Sequence, residues 1–135
     1  MLYALVLAGG RGERLRPYTD DKPKPMVELN GKPLLWYQLS WLKQNGVTNA
    51  VILGGYRIDV IEQYFGNGQA IGLDLEYIEE KEPLGRGGAY RQGLLCLPRS
   101  AKLVVATNGD ILTTQPLQPI LHSHQLNPAT MATIM

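Results

Sequence analysis

The sequence predicts an α/β fold with a three-layer, Rossmann-like, mostly parallel sheet that is incomplete at its C-terminal end. Strand-like and helix-like segments alternate along the 135 residues, which is typical of right-handed β-α-β crossovers. The first apolar segment has no polar face, as expected of a strand that helices cover on both sides. A glycine-rich segment follows that strand directly, at the position where parallel sheets bind ligands.

The first half of the chain predicts two strands joined by a helix. The segment "YALVLA", residues 3–8, is apolar at odd and even positions and predicts a buried strand. The segment "LLWYQLSWLKQNG", residues 34–46, places leucines at helical spacing and ends in a glycine, a suitable C-terminal cap. The segment "NAVILGG", residues 49–55, predicts the second strand.

The second half continues the alternation. A short helix is predicted over "RIDVIEQYFGNG", residues 57–68, and a strand over "LDLEYIEE", residues 73–80. The segment "GGAYRQGLLCLP", residues 87–98, has helical periodicity, and "KLVVATNGD", residues 102–110, predicts another strand. The last segment, "NPATMATIM", residues 127–135, is similar to the opening of a further strand. We therefore expect a domain that continues beyond this sequence or that another chain completes.

The composition is that of an ordinary globular domain. Hydrophobic residues make up 44% of the chain and charged residues 19%, and the formal net charge is +1, which argues against disorder and against a general affinity for nucleic acid. The single cysteine, Cys96, allows no intrachain disulfide and no cysteine-rich metal site, and it fits a cytoplasmic setting. The apolar start lacks a basic leader, and no run reaches the ~20 residues of a membrane helix. We expect neither secretion nor membrane insertion.

The stretch "LAGGRGERLRPYTDDKPKP", residues 7–25, called the glycine-rich loop below, combines bare backbone with positive charge. Its glycines let backbone amides approach a phosphate, and its arginines add forked donors for phosphate oxygens. Lys24 stands between Pro23 and Pro25, which stiffen the segment that presents it. The loop therefore predicts a phosphate site. The alternative is a tight turn between strand and helix with solvated arginines.

Two familiar glycine motifs fit this loop badly. A dinucleotide fingerprint requires a third glycine where Leu15 stands, and it does not explain the basic residues. The phosphate loop of nucleotide hydrolases requires four residues between its glycines and then Gly-Lys-Ser/Thr, which this stretch lacks.

The stretch "LAGGRGERLRPYTDDKPKPM" resembles the signature of the sugar-1-phosphate nucleotidyltransferases, the nucleoside-diphosphate-sugar pyrophosphorylases. Three later stretches resemble that family in the same order: "GKPLLWYQLSWLKQNGVTNAVILGGY", "EEKEPLGRGGA" and "TNGD". The resemblance spans essentially all 135 residues and implies that residues 1–135 form the N-terminal, nucleotide-binding portion of a longer catalytic domain. The first motif is specific, because beside its glycines it matches the family's spacing at Arg14, Pro17, Thr19, Lys24 and Pro25.

The resemblance implies an enzyme that transfers a nucleoside monophosphate from a nucleoside triphosphate to a sugar 1-phosphate and releases pyrophosphate. GTP and mannose 1-phosphate, or a similar sugar phosphate, are the expected substrates. Arg14 is expected to bind the triphosphate and the leaving pyrophosphate, and Lys24 to act at the α-phosphate. We expect Arg11 and Arg16 to be supporting or solvated. The other implied nucleotide contacts are Leu7, Ala8, Gly9, Gly10, Gly12, Glu80 and Gly85.

The acid of "TNGD" carries a metal hypothesis. Asp110 follows a predicted strand, where a carboxylate can hold a Mg²⁺ ion that takes its other ligands from water and phosphate. The resemblance implies this role and places a second acidic ligand beyond Met135. A turn or helix-cap aspartate is the alternative. His122 and His124, with Cys96 far away in the sequence, are expected to be surface histidines rather than zinc ligands.

The counterpart of "EEKEPLGRGGAY" contacts the base in the family that the chain resembles, which implies that role for Glu80 and Gly85. Arg86 and Gly87 stand where the family often has Thr-Ala, so the base that is selected stays open. A carboxylate at Glu80 can accept hydrogen bonds from N1–H and the exocyclic amine of guanine, whereas a pyrimidine offers one such donor. This difference favours GTP.

A non-catalytic nucleotide-binding or regulatory module of the same fold is the alternative function. That hypothesis predicts loss of the loop charges or of the metal acid, whereas Arg14, Lys24 and Asp110 are all present. The expected partners are a nucleoside triphosphate and a sugar 1-phosphate, and neither nucleic acid nor a membrane. The chain is also a candidate homo-oligomer.

Overall fold

The computed structural model describes residues 1–133 and contains a parallel sheet with helices on both faces. In chain order the strands are β1 (Leu2–Leu7), β2 (Glu28–Leu29), β3 (Lys32–Pro33), β4 (Val47–Gly54), β5 (Asp74–Glu79) and β6 (Val104–Asn108). The helices are α1 (Leu34–Gln44), α2 (Ile58–Phe65), α3 (Gly85–Cys96) and α4 (Gln118–Gln125). Short 3-10 turns lie at Glu13–Leu15, Lys24–Met26 and Gln69–Ile71.

The main sheet has four parallel strands in the order β5-β4-β1-β6. On the central strand β1, Leu5 pairs with Val51 on one side and with Ala106 on the other. Strands β2 and β3 form a separate antiparallel hairpin between the glycine-rich loop and α1. Because all four strands of the main sheet run the same way, their carboxyl ends meet at one edge.

Two apolar layers cover the sheet, because side chains alternate between its faces. The larger layer packs the strands against α1 and α2, through Ala4, Val6, Ile52, Leu35, Leu39, Leu42 and Ile61. The smaller layer packs the opposite face against α3, through Leu5, Val51, Leu53 and Ala89. The prediction of three layers with a mostly parallel sheet is confirmed.

The predicted strands and helices are present, with shifted boundaries. Helix α3 begins at Gly85 rather than at residue 87, so the segment expected to contact the base includes the first helical turn. The further strand predicted over 127–135 is wrong for residues 127–133, which form turns and irregular backbone. Asn127 explains this, because its side chain donates to the Ser123 carbonyl and its own carbonyl accepts from the Thr130 amide, which closes a turn. Residues 134 and 135 lie outside the described residues.

None of the helices within residues 1–133 combines the length and the apolar character that a membrane crossing requires.

Candidate functional site

A cleft of about 300 Å³ opens at the carboxyl ends of the parallel strands. That volume lies at the lower end of the range for small-molecule sites. The residues predicted from the sequence that line it are Leu7, Gly9, Gly10, Lys24, Glu80, Gly85 and Asp110. Segments far apart in the sequence therefore converge on one cleft, because each follows or ends a strand of the same sheet.

Lys24 and Asp110 form an ion pair inside this cleft. The Nζ of Lys24 lies 2.8 Å from Oδ2 of Asp110, and their side chains are 39% and 22% exposed. Lys24 begins the 3-10 turn Lys24–Met26, and its backbone amide donates to the Gly10 carbonyl at 3.0 Å. This hydrogen bond links the two ends of the glycine-rich loop and holds Lys24 close to Gly10.

The glycine-rich loop folds back on itself at Gly12, which has a φ of +65°. The Thr19 hydroxyl, on a residue that is 2% exposed, donates to the Gly12 carbonyl at 2.7 Å. A Cβ at Gly12 would lie 2.8 Å from the Thr19 Cγ2 and 3.0 Å from the Lys24 Cβ. Only glycine suits this position, because a side chain would meet both the unfavourable backbone angle and the two neighbours.

Hydrogen bonds from both layers of helices hold the end of β6 beneath Asp110. The Gln38 Nε2 on α1 donates to the Thr107 hydroxyl oxygen at 2.9 Å, and the Tyr90 hydroxyl on α3 donates to the Thr107 carbonyl at 3.3 Å. Burial raises the pKa of Tyr90, which favours the neutral hydroxyl that donates this bond. Beyond the strand, the Gly109 amide donates to the Leu7 carbonyl at 2.8 Å, which fixes the turn that carries Asp110.

Glu80 joins the end of β5 to the start of α3. Its backbone amide donates to the Gly54 carbonyl at 2.6 Å, and its Oε1 accepts from the Leu84 amide at 2.9 Å. A carboxylate is favourable at that point, because the first amides of a helix lack partners within the helix. Gly85 follows with a φ of +70° and open space where a side chain would stand.

Three predicted residues do not line the cleft. Ala8 is buried in the apolar layer that contains α1. Gly12 packs against the side chains of Thr19 and Lys24. Arg14 lies in the exposed turn Glu13–Leu15. Its role at the triphosphate therefore stays a prediction, and the structure does not place it beside the Lys24–Asp110 pair.

Several lining residues were not proposed as contacts from the sequence. Asn108 precedes Gly109 at the end of β6 and shares the cleft with Asp110. Arg86, Ala89 and Gln92 line it from α3, at three-residue intervals along the helix. That interval was the available signal, but it does not identify what the residues face, and Ala89 also packs against the sheet.

The carboxylate of Asp110 fits a magnesium ligand of the kind that keeps water and phosphate in its remaining positions. Within residues 1–133, no three or more histidine, cysteine, aspartate or glutamate side chains come together as a metal cluster. His122 and His124 lie on α4, where the Nδ1 of His124 is 2.9 Å from the Thr133 hydroxyl oxygen. Their positions match the expectation of surface residues.

Comparison with known proteins identifies the family. The family model described as nucleotidyl transferase matches residues 3–135. The chain belongs to the nucleotidyl transferase family. The resemblance inferred from the loop motifs is therefore confirmed at the level of the family.

Relatives within the nucleotidyl transferase family differ in the base that their names specify. The chain is 39% identical over 126 residues to a mannose-1-phosphate guanylyltransferase of Mycobacterium tuberculosis, covering 93% of this chain and 34% of that protein. It is 43% identical over 113 residues to an N-acetylmuramate alpha-1-phosphate uridylyltransferase of Neisseria meningitidis, covering 82% and 47%. The chain thus spans between about a third and about half of these relatives.

A solved structure of the same fold supports this assignment. HddC from Yersinia pseudotuberculosis complexed with GMP-PN matches with a TM-score of 0.77 and 31% identity. The match covers 91% of this chain and 54% of the HddC chain.

Proposed function

We propose that this chain supplies the nucleotide-binding half of a sugar-1-phosphate nucleotidyltransferase. The reaction transfers a nucleoside monophosphate from a nucleoside triphosphate to a sugar 1-phosphate and gives a nucleoside-diphosphate sugar and pyrophosphate. The observation that carries the proposal is the Lys24–Asp110 pair, at 2.8 Å, in a cleft lined by Gly9 and Gly10 in a member of the nucleotidyl transferase family. In such a cleft, one polyphosphate could contact the Lys24 ammonium and the backbone of the two glycines, while Asp110 holds its metal ion.

Both reactants are anions, so the protein must align the sugar 1-phosphate with the triphosphate and neutralise their negative charge. A phosphate oxygen of the sugar 1-phosphate attacks the α-phosphorus, and the bond from that phosphorus to the pyrophosphate oxygen breaks. No side-chain nucleophile is needed. Lys24 would stabilise the charge that develops around the α-phosphorus, and Arg14 would bind the departing pyrophosphate. The glycine backbone would admit the nucleotide close to the loop.

Asp110 would hold the Mg²⁺ ion in this proposal. The ion, when bound, supplies positive charge to the phosphate oxygens. Asp110 must exchange its contact with the Lys24 ammonium for that ion, and Lys24 is then available to a phosphate. Asn108 beside it adds an amide that can orient the same ligands.

GTP and mannose 1-phosphate, or a similar sugar phosphate, are the proposed substrates. Glu80 supports guanine, because it lines the cleft with its Oε1 held by the Leu84 amide, and a carboxylate placed there can accept from both N1–H and the exocyclic amine. The names of the M. tuberculosis guanylyltransferase and of HddC with GMP-PN support the same base, whereas the N. meningitidis relative is named a uridylyltransferase. A cytoplasmic location and self-association also stay predictions.

A pyrophosphate-release assay tests this function. The assay compares GTP, UTP, dTTP and ATP with a panel of sugar 1-phosphates, using this chain and a form extended to the length of its relatives. We expect release by the extended form, fastest with GTP and mannose 1-phosphate. Nucleotide binding without any release from the extended form would favour the regulatory module instead.

A further inference from the structure

Tyr56 joins the glycine-rich loop to the main sheet. It follows Gly54 and Gly55 at the end of β4, and these two glycines lie beside Gly9 of the loop. Its hydroxyl lies 3.1 Å from the Thr19 carbonyl and 3.1 Å from the Asp20 carbonyl. A phenol has one proton, so the two carbonyl oxygens share it as acceptors.

The loop has little else to hold its exposed middle in place. The other hydrogen bonds of residues 13–22 are internal to the loop: the amides of Leu15, Arg16, Tyr18 and Asp20 donate to carbonyls three residues earlier, and Thr19 donates to Gly12. Within the described chain, the Tyr56 hydroxyl makes the hydrogen bonds that join residues 13–22 to a residue outside the loop. The Arg16–Asp20 ion pair, at 3.6 Å, is also internal and well exposed.

The Tyr56 ring makes a second contact with the same loop. The guanidinium carbon of Arg11 lies 5.1 Å from the ring centroid, a distance suited to a cation–π interaction. Arg11 directly follows Gly10, which lines the cleft. One tyrosine therefore contacts the loop on both sides of its turn at Gly12.

We propose that Tyr56 is a positioning residue that holds the glycine-rich loop in the conformation that receives the triphosphate. This inference rests on the proposed function for its ligand. A loop that is already ordered loses less conformational freedom when a ligand binds, so affinity rises without any new contact to the ligand. Tyr56 acts through the loop, at the phosphate end of the site, and leaves the base end at Glu80 unaffected.

Limited proteolysis and calorimetry on the 135-residue chain test the proposal. Tyr56→Phe removes the hydroxyl and keeps the ring beneath Arg11. Trypsin should then cut faster after Arg11 and Arg14, by about fivefold for the loss of one hydrogen bond. Arg16 precedes a proline and is a poor tryptic site. With Mg²⁺ present, GTP affinity should fall by about fivefold, and the affinity for GMP should change by less than about twofold.

Tyr77→Phe is the matched control. The Tyr77 hydroxyl donates to the Gly66 carbonyl at 2.7 Å, so the control loses a bond of the same kind outside the loop. Its tryptic rate and its preference for GTP over GMP should equal those of the unmodified chain. Thermal unfolding of both variants verifies that each is folded.

Three results would overturn part of this account. Wild-type tryptic rates after Arg11 and Arg14 in Tyr56→Phe would remove the loop-holding role. Equal losses of GTP and GMP affinity would indicate a general structural defect rather than positioning of the phosphates. If the unmodified chain bound neither nucleotide while the tryptic difference persisted, the proposed function and hence the ligand would be wrong, although the contact between Tyr56 and the loop would stand.

Discussion

Lys24 Nζ lies 2.8 Å from Asp110 Oδ2, and this contact joins the start of the chain to the end of the last sheet strand. Both side chains line the cleft, where each charge pairs with the other. A triphosphate and a cation would replace this pairing by two new ones, Lys24 with phosphate and Asp110 with metal. In the proposed function, Lys24 is therefore the expected position of the anion and Asp110 that of the cation.

Replacement of Lys24 by alanine should weaken function and spare the fold. A charge-assisted hydrogen bond to phosphate is lost, so GTP affinity measured by calorimetry should fall by about tenfold or more. The midpoint of thermal unfolding should change little, since partly exposed ion pairs contribute only about 0–1 kcal/mol. Lys32→Ala is the control, because Lys32 lies over Trp36 at 4.1 Å on the hairpin and outside the cleft. Unchanged GTP affinity would remove Lys24 from the site.

Gly12→Ala should destabilise the fold, whereas Gly10→Ala should leave its stability nearly unchanged. Gly12→Ala forces a side chain onto a φ of +65° and against Thr19 at 2.8 Å, so unfolding free energy should fall by about 2–4 kcal/mol. Gly10→Ala meets nothing within 4 Å in the free chain and should leave stability within about 0.5 kcal/mol. Chemical denaturation measures both values. Equal stability of the two variants would contradict the loop geometry.

Glu80→Gln tests the proposed recognition of guanine. Glutamine keeps an oxygen for the Leu84 amide, so helix α3 should still begin correctly, but the carboxylate that would accept from guanine is lost. Calorimetry should show GTP affinity lower by about tenfold and UTP affinity nearly unchanged. A preference of the unmodified chain for a pyrimidine triphosphate would contradict the assignment of guanine.

The raised pKa of Tyr77 predicts that the free energy of unfolding decreases at alkaline pH. Burial raises its pKa to about 12, whereas an unfolded tyrosine ionises near pH 10. Below about pH 10 both states are neutral at this residue; as the pH rises from about 10 to about 12, the unfolded state loses its proton first and is favoured. Tyr77→Phe should therefore lose less stability across that interval. Denaturation midpoints at pH 9 and pH 11 measure the difference, and identical losses would refute it.

The order of strands and helices could be read from the sequence because it depends on local patterns. Strands β1 and β4 are apolar on both faces, and the leucines of α1 recur at helical spacing. The hairpin of β2 and β3 had a local signal that was missed: Asn30 and Gly31 have φ values of +51° and +78°, as a tight hairpin turn requires. Helix α4 was not predicted, because the segment Gln118–Gln125 has only a weak periodicity of apolar residues.

Tertiary contacts explain what the sequence alone could not predict. The segment before α4 is held by α1, since the Trp41 indole donates to the Gln115 carbonyl and Asn45 Oδ1 accepts from the Leu117 amide. Tyr56 likewise meets Thr19 only because β4 and β1 are neighbours in the sheet. Local motifs and the resemblance to the family gave the candidate phosphate and metal residues, which stay predictions, whereas which of them share the cleft follows from the strand order.

A crystal structure of this chain with a non-hydrolysable GTP analogue and Mg²⁺ would show whether nucleotide and metal replace the Lys24–Asp110 contact. We expect the analogue to lie in the cleft at the strand ends, with a phosphate oxygen within hydrogen-bonding distance of Lys24 Nζ and the metal on Asp110. The contact between Lys24 and Asp110 should lengthen beyond its present 2.8 Å. A nucleotide bound elsewhere, or bound in the cleft with that ion pair unchanged and no metal at Asp110, would contradict this expectation.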